Sequence, residues 1–260
     1  MLVVRNRYQR FDSSATCLLA EGDGRNLFKV KDDSVDCIFT DHPWLDLKSN
    51  KGESRAFAEY NCFKYTLRDF EEKARVLRNG CFLVEMLPAE NENNYEYLYQ
   101  IKQFAKDAGF LYYAKVPWKK GTFVSNTGRK AKNTQDIMFF SKGKARPMRV
   151  DKKTTEIVNE TWYMSGCNGM LPTMFDVQPV AKQDKIHQSE LPVSLCEQVL
   201  QYVSYEGEIV LDSFAGSGVI GEAALNLNRN CILIEQSKVY IGKIHERLSK
   251  NPKFISYGSL

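Results

Sequence analysis

The run Glu208-Ile-Val-Leu-Asp212-Ser-Phe214-Ala-Gly216-Ser-Gly218-Val-Ile-Gly221, closed by Cys231-Ile-Leu-Ile-Glu235, constrains this chain more than any other stretch. An apolar strand enters a glycine turn, a helix follows, and a second apolar strand ends on a carboxylate. Such a unit is half of a doubly wound α/β sheet, a fold that binds ligands in the crevice at the carboxyl ends of its strands. Far upstream, Val35-Asp-Cys-Ile-Phe39 runs into a second loaded strand end, Thr40-Asp41-His42-Pro43-Trp44. The two strand ends together define the chemistry to be explained.

Between and around them, strands alternate with amphipathic helices, which argues for right-handed crossovers and a mainly parallel sheet. Strands are expected at 15–19, 35–39, 81–86, 110–116 and 136–141. Helices are expected from Thr66, with Asp69 as its capping box, to a stop at Gly80; from 92 to 108, before Gly109; from 190 to 204; and from 237 to 248. Residues 1–13 and 45–65 show no period and read as an arm and a loop. Residues 142–186 read as an irregular insertion, a small candidate target-recognition region. The expected plan is one domain: a first half over 15–141, the insertion, and a second half over 187–249.

Composition removes several classes. A length of 260 residues with 43% apolar content supplies one α/β core. No apolar run approaches a membrane span and the N-terminus lacks a signal-peptide core, so a cytoplasmic protein without membrane contact is expected. Seven scattered cysteines contain no C-x-x-C pair, which argues against zinc or a disulfide framework, and no metal site is expected. Charge is uneven. From Lys115 to Lys153 there are twelve Lys/Arg against Asp136 and Asp151, a surplus of ten in a chain of net +4, which leaves −6 for the rest. A basic cluster of this size points to a polyanion such as DNA, with Lys119, Lys120, Arg129, Lys130 and Lys132 as candidate contacts. A solvated basic surface is the plainer reading of the same residues.

Gly216, Gly218 and Gly221 satisfy G-x-G-x-x-G, and Glu235 lies nineteen residues past the first glycine. Taken alone, this matches a nicotinamide-dinucleotide site, with the acid on a ribose diol. The setting argues otherwise, because Asp212-Ser213-Phe214-Ala215 separates strand from glycines. An aspartate at the strand tip repels a pyrophosphate and suits a cation. S-adenosylmethionine is cationic, carries no phosphate, and presents ribose hydroxyls to Glu235. A purely structural turn and a nicotinamide-dependent oxidoreductase stay as alternatives.

At the other strand end, Asp41 and the main-chain carbonyl of His42 are two acceptors for the N–H groups of a nucleobase amine. Held this way, the nitrogen becomes pyramidal and its lone pair is freed for attack. Pro43 stiffens the turn, and Trp44 offers a face for an extruded base. An ordinary loop with a buried tryptophan is the alternative.

The chain resembles the beta-class amino-methyltransferases, which methylate N6 of adenine or N4 of cytosine in DNA. The resemblance covers roughly 15–145 and 186–249. It rests on Gly22-Asp23, Leu27 and Ser34-Val35-Asp36-Cys37-Ile38; on Arg75-Val76-Leu77-Arg78-Asn79-Gly80; and on Val116-Pro117-Trp118-Lys119-Lys120 and Ile137-Met-Phe-Phe-Ser141-Lys-Gly143-Lys144. It continues through His187, Pro192 and Asp212-x-Phe214-x-Gly216-Ser217-Gly218 to Glu235. It implies a circularly permuted S-adenosylmethionine-dependent methyltransferase fold with the catalytic half first. Asp41, His42, Pro43 and Trp44 are then catalytic. Asp23, Thr40, His187, Asp212, Phe214, Gly216, Ser217, Gly218 and Glu235 hold the cofactor. His42 stands where the family has its first proline, Val219 where a hydroxyl residue is frequent, and Ser189-Glu190-Leu191 where a lysine is usual. Aspartate at 41 leans toward adenine, with cytosine N4 as the alternative. A non-catalytic subunit and methylation of RNA or a protein amide stay open, as do a homodimer and a separate restriction enzyme.

Overall fold

In the computed structural model, residues 15–44, 62–121, 133–146, 170–186 and 189–251 are described. Eight strands form one sheet: β1 Cys17–Glu21, β2 Val35–Thr40, β3 Leu77–Leu87, β4 Phe110–Lys119, β5 Thr134–Lys142, β6 Phe175–Asp176, β7 Ile209–Asp212 and β8 Asn230–Glu235. Their order is β1-β8-β7-β2-β3-β5-β4-β6. The first five in that order run parallel, β5 is antiparallel to both β3 and β4, and β6 pairs parallel with β4.

The parallel strands alternate their side chains between two helical layers. Cys37, Phe39, Phe82 and Val84 face α3 (Val193–Val203), α4 (Val219–Asn226) and α5 (Lys238–Leu248). Ile38 and Leu83 face α1 (Leu67–Val76) and α2 (Tyr95–Asp107). Both faces of these strands are buried, so they read as near-continuous apolar runs. Among the described residues no helix is long and apolar enough to cross a membrane.

Asp69 caps α1 as expected, its carboxylate accepting from the Thr66 N–H at 2.7 Å and the Thr66 hydroxyl at 2.9 Å. The helix stops at Val76, however, not at Gly80. The Arg75 and Val76 carbonyls accept from the N–H groups of Asp33 (3.0 Å) and Ser34 (2.9 Å), so they are unavailable to a further helical turn. Leu77 therefore opens β3, and Gly80, at φ 79°, lies inside the strand. The expected insertion at 142–186 is also corrected in part. Phe175–Asp176 extends the sheet, the Trp118 indole donates to the Val177 carbonyl at 2.8 Å, and Arg146 pairs with Glu208 at 2.5 Å. The arm at 1–13, most of the 45–65 loop and residues 147–169 lie outside the described residues.

Asp36 ties the two halves together at the start of β2. One carboxylate oxygen accepts from the Ile209 N–H of β7 at 3.0 Å, and the other meets the Arg78 guanidinium of β3. Asp36→Ala leaves a buried N–H without a partner and a guanidinium without its anion. A loss of about 3 kcal/mol is expected in urea unfolding at unchanged m value. A loss well under about 1 kcal/mol, the net worth of an ordinary hydrogen bond, would remove Asp36 from the junction.

Candidate active site

The sheet makes neighbours of two strands that are distant in sequence. β2 and β7 pair at Cys37↔Val210 and Ile38↔Leu211, and their tips are joined by the Thr40 hydroxyl donating to Asp212 Oδ1 at 2.8 Å. From β7 the chain crosses through α4 to β8, and from β2 through α1 to β3 on the opposite face. The strand order thus reverses between them, and a crevice opens at such a switch point. A cavity of about 410 Å³ lies there.

One wall comes from the second half. Asp212 Oδ1 also accepts the Phe214 N–H at 3.1 Å. Glu235, at the tip of β8, accepts the Gly216 N–H (2.8 Å) on one oxygen and the Ser237 N–H (2.8 Å) on the other. Gly218, at φ 75°, caps α4 behind the cavity, where a Cβ would meet Ile244 Cγ2 at 2.9 Å. The turn after β1 closes the same wall. A Cβ on Gly24 would sit 1.7 Å from the Ser213 carbonyl oxygen, so only glycine permits this approach.

The other wall is the tip of β2. The Trp44 indole N–H donates to Asp41 Oδ1 at 3.3 Å, and the Phe63 N–H returns to the Pro43 carbonyl at 3.4 Å. The His42 side chain does not enter the cavity as a solvated group. It is 1% exposed and packs 4.0 Å from Trp44 and 3.9 Å from Tyr65.

Enclosure dominates the electrostatics. It pushes the Asp41 carboxyl up to about 7, against the indole hydrogen bond and the charge of Lys120. It pushes Asp212 up to about 7 as well, with the charges of Asp41 and Glu235 adding to the effect. Glu235 is also raised, chiefly by burial. Three carboxyls thus share one crevice, and each becomes easier to ionise when a cation enters.

Asp41, His42, Pro43, Trp44, Asp212 and Phe214 all line this cavity, as do Gly216, Ser217 and Glu235. Thr40 lies behind it and holds Asp212. Asp23 turns away to Arg25 at 2.6 Å while Gly22 and Gly24 face inward. Lys119 is spent on Asp176 at 2.7 Å. Lys120 lies over the Trp118 ring at 4.9 Å, and burial lowers its pKa while Asp41 raises it. His187, Arg129, Lys130 and Lys132 lie outside the described residues. Ser189, Glu190 and Leu191, the segment where the family usually has a lysine, also line it, as do Gln236 and Tyr240, for which the sequence carried no signal.

The cavity brings together an acid at the tip of β7, a second acid beside a glycine turn, and the tip of β2. A family model described as DNA methylase matches residues 35–246. The chain belongs to the N6/N4 DNA methylase family. It is a DNA methyltransferase whose methyl donor is S-adenosylmethionine. It is 29% identical over 231 residues to Type II methyltransferase M.HpaI of Haemophilus parainfluenzae, covering 85% of this chain and 70% of that one. It is 25% identical over 260 residues to M.HinfI of Haemophilus influenzae, covering 89% and 68%. The fold matches the M1.HpyAVI–SAM complex at TM-score 0.64 and 22% identity, covering 89% of this chain and 98% of that one. It matches the cytosine-N4-specific PvuII DNA methyltransferase at TM-score 0.64 and 14% identity, covering 92% and 90%. The half that carries Asp41 precedes the half that carries Asp212 along the chain.

Two outcomes test this site. A carboxyl whose folded pKa lies near 7, against about 4 when unfolded, contributes stability fully present below about 4 and lost as pH rises toward 7. The ligand-free methyltransferase is therefore expected to melt lower at pH 8 than at pH 6, and Asp212→Asn, which still accepts from Thr40, to flatten that slope. An unchanged slope in the variant would show that Asp212 does not titrate in this window. Gly24→Ala must displace the Ser213 carbonyl and is expected to slow methyl transfer on the order of 100-fold, the scale of a 1 Å misplacement. Wild-type rates would show slack in that wall.

Proposed function

We propose that this methyltransferase extrudes an adenine from duplex DNA and methylates its N6 amine. The observation that carries the reading is the adjacency of the two strand tips, with Asp41 and the His42 carbonyl on one and Asp212 on the other. Residues 15–141 form the catalytic half and 187–249 the cofactor half. The Asp41 carboxylate and the His42 carbonyl accept the two N–H groups of the amine, Pro43 restrains the turn, and Trp44 stacks on the base. Aspartate at position 41 favours the adenine amine; N4 of cytosine fits the same acceptor pair and is separated by experiment.

The cavity fits the methyl donor on its own terms, since Asp212 and Glu235 set two largely buried acids on its lining. Asp212 would face the positive end, Glu235 the ribose hydroxyls, and Phe214 the adenosine, with Gly216 and Ser217 along the turn. S-adenosylmethionine supplies a methyl group on a sulfonium, already a good leaving group. The protein contributes position and exclusion of water, an effect worth up to about 7–11 kcal/mol when reacting groups are well oriented. Lys120, with Arg129, Lys130 and Lys132, is assigned to the DNA-facing side. We further infer a modification enzyme whose restriction endonuclease is a separate polypeptide, acting inside the cell where its DNA is.

The test is methyl transfer to unmethylated DNA, with the product nucleosides read by mass spectrometry. N6-methyladenine supports the reading, N4-methylcytosine moves it to the other base, and no labelled base sinks it. Asp41→Ala is expected to abolish transfer while calorimetric donor affinity stays within about 2-fold, since the site is assembled from separate walls. The rate should fall about tenfold per pH unit on an acid limb at or below about 7, because a protonated Asp41 cannot accept both ways.

A further inference from the structure

The catalytic turn sits on a buried polar cluster that methyl transfer as described above does not use. Beneath the turn, the Tyr97 hydroxyl of α2 accepts the Tyr65 N–H at 2.7 Å and lies 3.3 Å from His42 Nε2. The Tyr97 hydroxyl and Nε2 are within hydrogen-bonding distance, and the ring tautomer sets which of the two donates. His42 Nδ1 has no hydrogen-bond partner among the described residues and lies 3.9 Å from Glu85 Oε2. Glu85, wholly buried in β3, is held by Lys73 of α1 and accepts the Tyr65 hydroxyl at 3.2 Å. Lys73 lies 3.8 Å from the centre of the Tyr65 ring.

The imidazole stays neutral here, because burial and the charge of Lys73 both hold its pKa well below the usual range. A ring without charge and without solvent is a poor proton carrier. It is well suited to fixing the backbone that bears it. The same ring packs on Trp44 at 4.0 Å, and the Trp44 indole donates to Asp41. One side chain therefore connects the buried cluster to both acceptors, to the carbonyl through its own main chain and to the carboxylate through Trp44.

We propose that His42 is a positioning residue: its side chain, pinned by Tyr97 and facing the Lys73–Glu85 pair, locks the Asp41–Trp44 turn in the geometry that receives the base amine. The lock is side-chain packing, where a proline at this position would act by fixing φ at about −65°. The inference rests on the reading of the His42 carbonyl and Asp41 as amine acceptors, and Asp41→Ala tests that reading separately.

The experiment compares His42→Ala, His42→Pro, Tyr97→Phe and the His42→Ala/Tyr97→Phe double variant in steady-state methylation of DNA, with donor affinity by calorimetry. His42→Ala is expected to lower kcat on the order of 100-fold, with donor affinity within about 2-fold. His42→Pro, which restrains the main chain without an imidazole, should recover at least about tenfold of that loss. Tyr97→Phe should lower kcat on its own yet add little to His42→Ala, since both act through one ring. The acid limb of the pH profile should stay in place in every variant. Wild-type kcat in His42→Ala, no recovery in His42→Pro, additive losses in the double variant, or disappearance of the acid limb would each overturn the proposal. Should His42→Ala fail to fold, Tyr97→Phe decides alone. Reduced kcat with unchanged donor affinity and pH limb supports the lock, and wild-type kcat removes it.

Discussion

The hydrogen bond between Thr40 and Asp212, 2.8 Å across the tips of β2 and β7, is the contact on which the rest of the site depends. Each half of the chain closes its own local unit, β2-α1-β3 in the first and β7-α4-β8 in the second. Neither unit alone has a two-walled crevice. Only the β2–β7 pairing brings an acid that suits a cation beside a pair of acceptors that suits an amine. Asp36 secures the other end of the same junction. Assembly of the sheet and assembly of the chemistry are thus one event.

The junction also concentrates charge. Asp41, Asp212 and Glu235 share the crevice, and Glu85 lies beneath it with Lys73 as its close cation. Burial disfavours the ionised form and is the main reason Asp41 and Asp212 rise to about 7, with the charges of Asp41 and Glu235 adding to the effect at Asp212. A cation entering the crevice favours the ionised form of the acid nearest to it.

Much of this was legible in the chain. Apolar runs ending on Asp41, Asp212 and Glu235 marked three strand tips, because strands buried on both faces leave polar residues only at their ends. The Thr66–Asp69 capping box fixed a helix start within one residue. Boundaries set by distant partners were not legible. The end of α1 depends on the amides of residues 33 and 34, and Phe175–Asp176 becomes strand only because β4 offers an edge. The cluster under the Asp41–Trp44 turn escaped for a similar reason. Lys73 lies one turn from Phe70 on the buried face of α1, and Glu85 interrupts the apolar run of β3. Each looks like a solitary misplaced charge until the fold sets one against the other.

A histidine can stand in the Asp41–Trp44 turn for a physical reason. Rigidity at a strand tip has two physical sources: a ring that restricts φ, or a side chain held by its surroundings. The second source requires somewhere to anchor. Here α1, α2 and β3 each contribute a polar group to a space that would otherwise be filled with apolar side chains. Buried ion pairs seldom stabilise a fold relative to apolar packing, and this one carries the desolvation cost of two charges. On the proposed reading, in which the turn above it presents two acceptors to a base, the pair makes sense as geometric specification. The apolar alternative would fill the space but give the imidazole no directional contact, and the turn would keep its volume while losing its orientation.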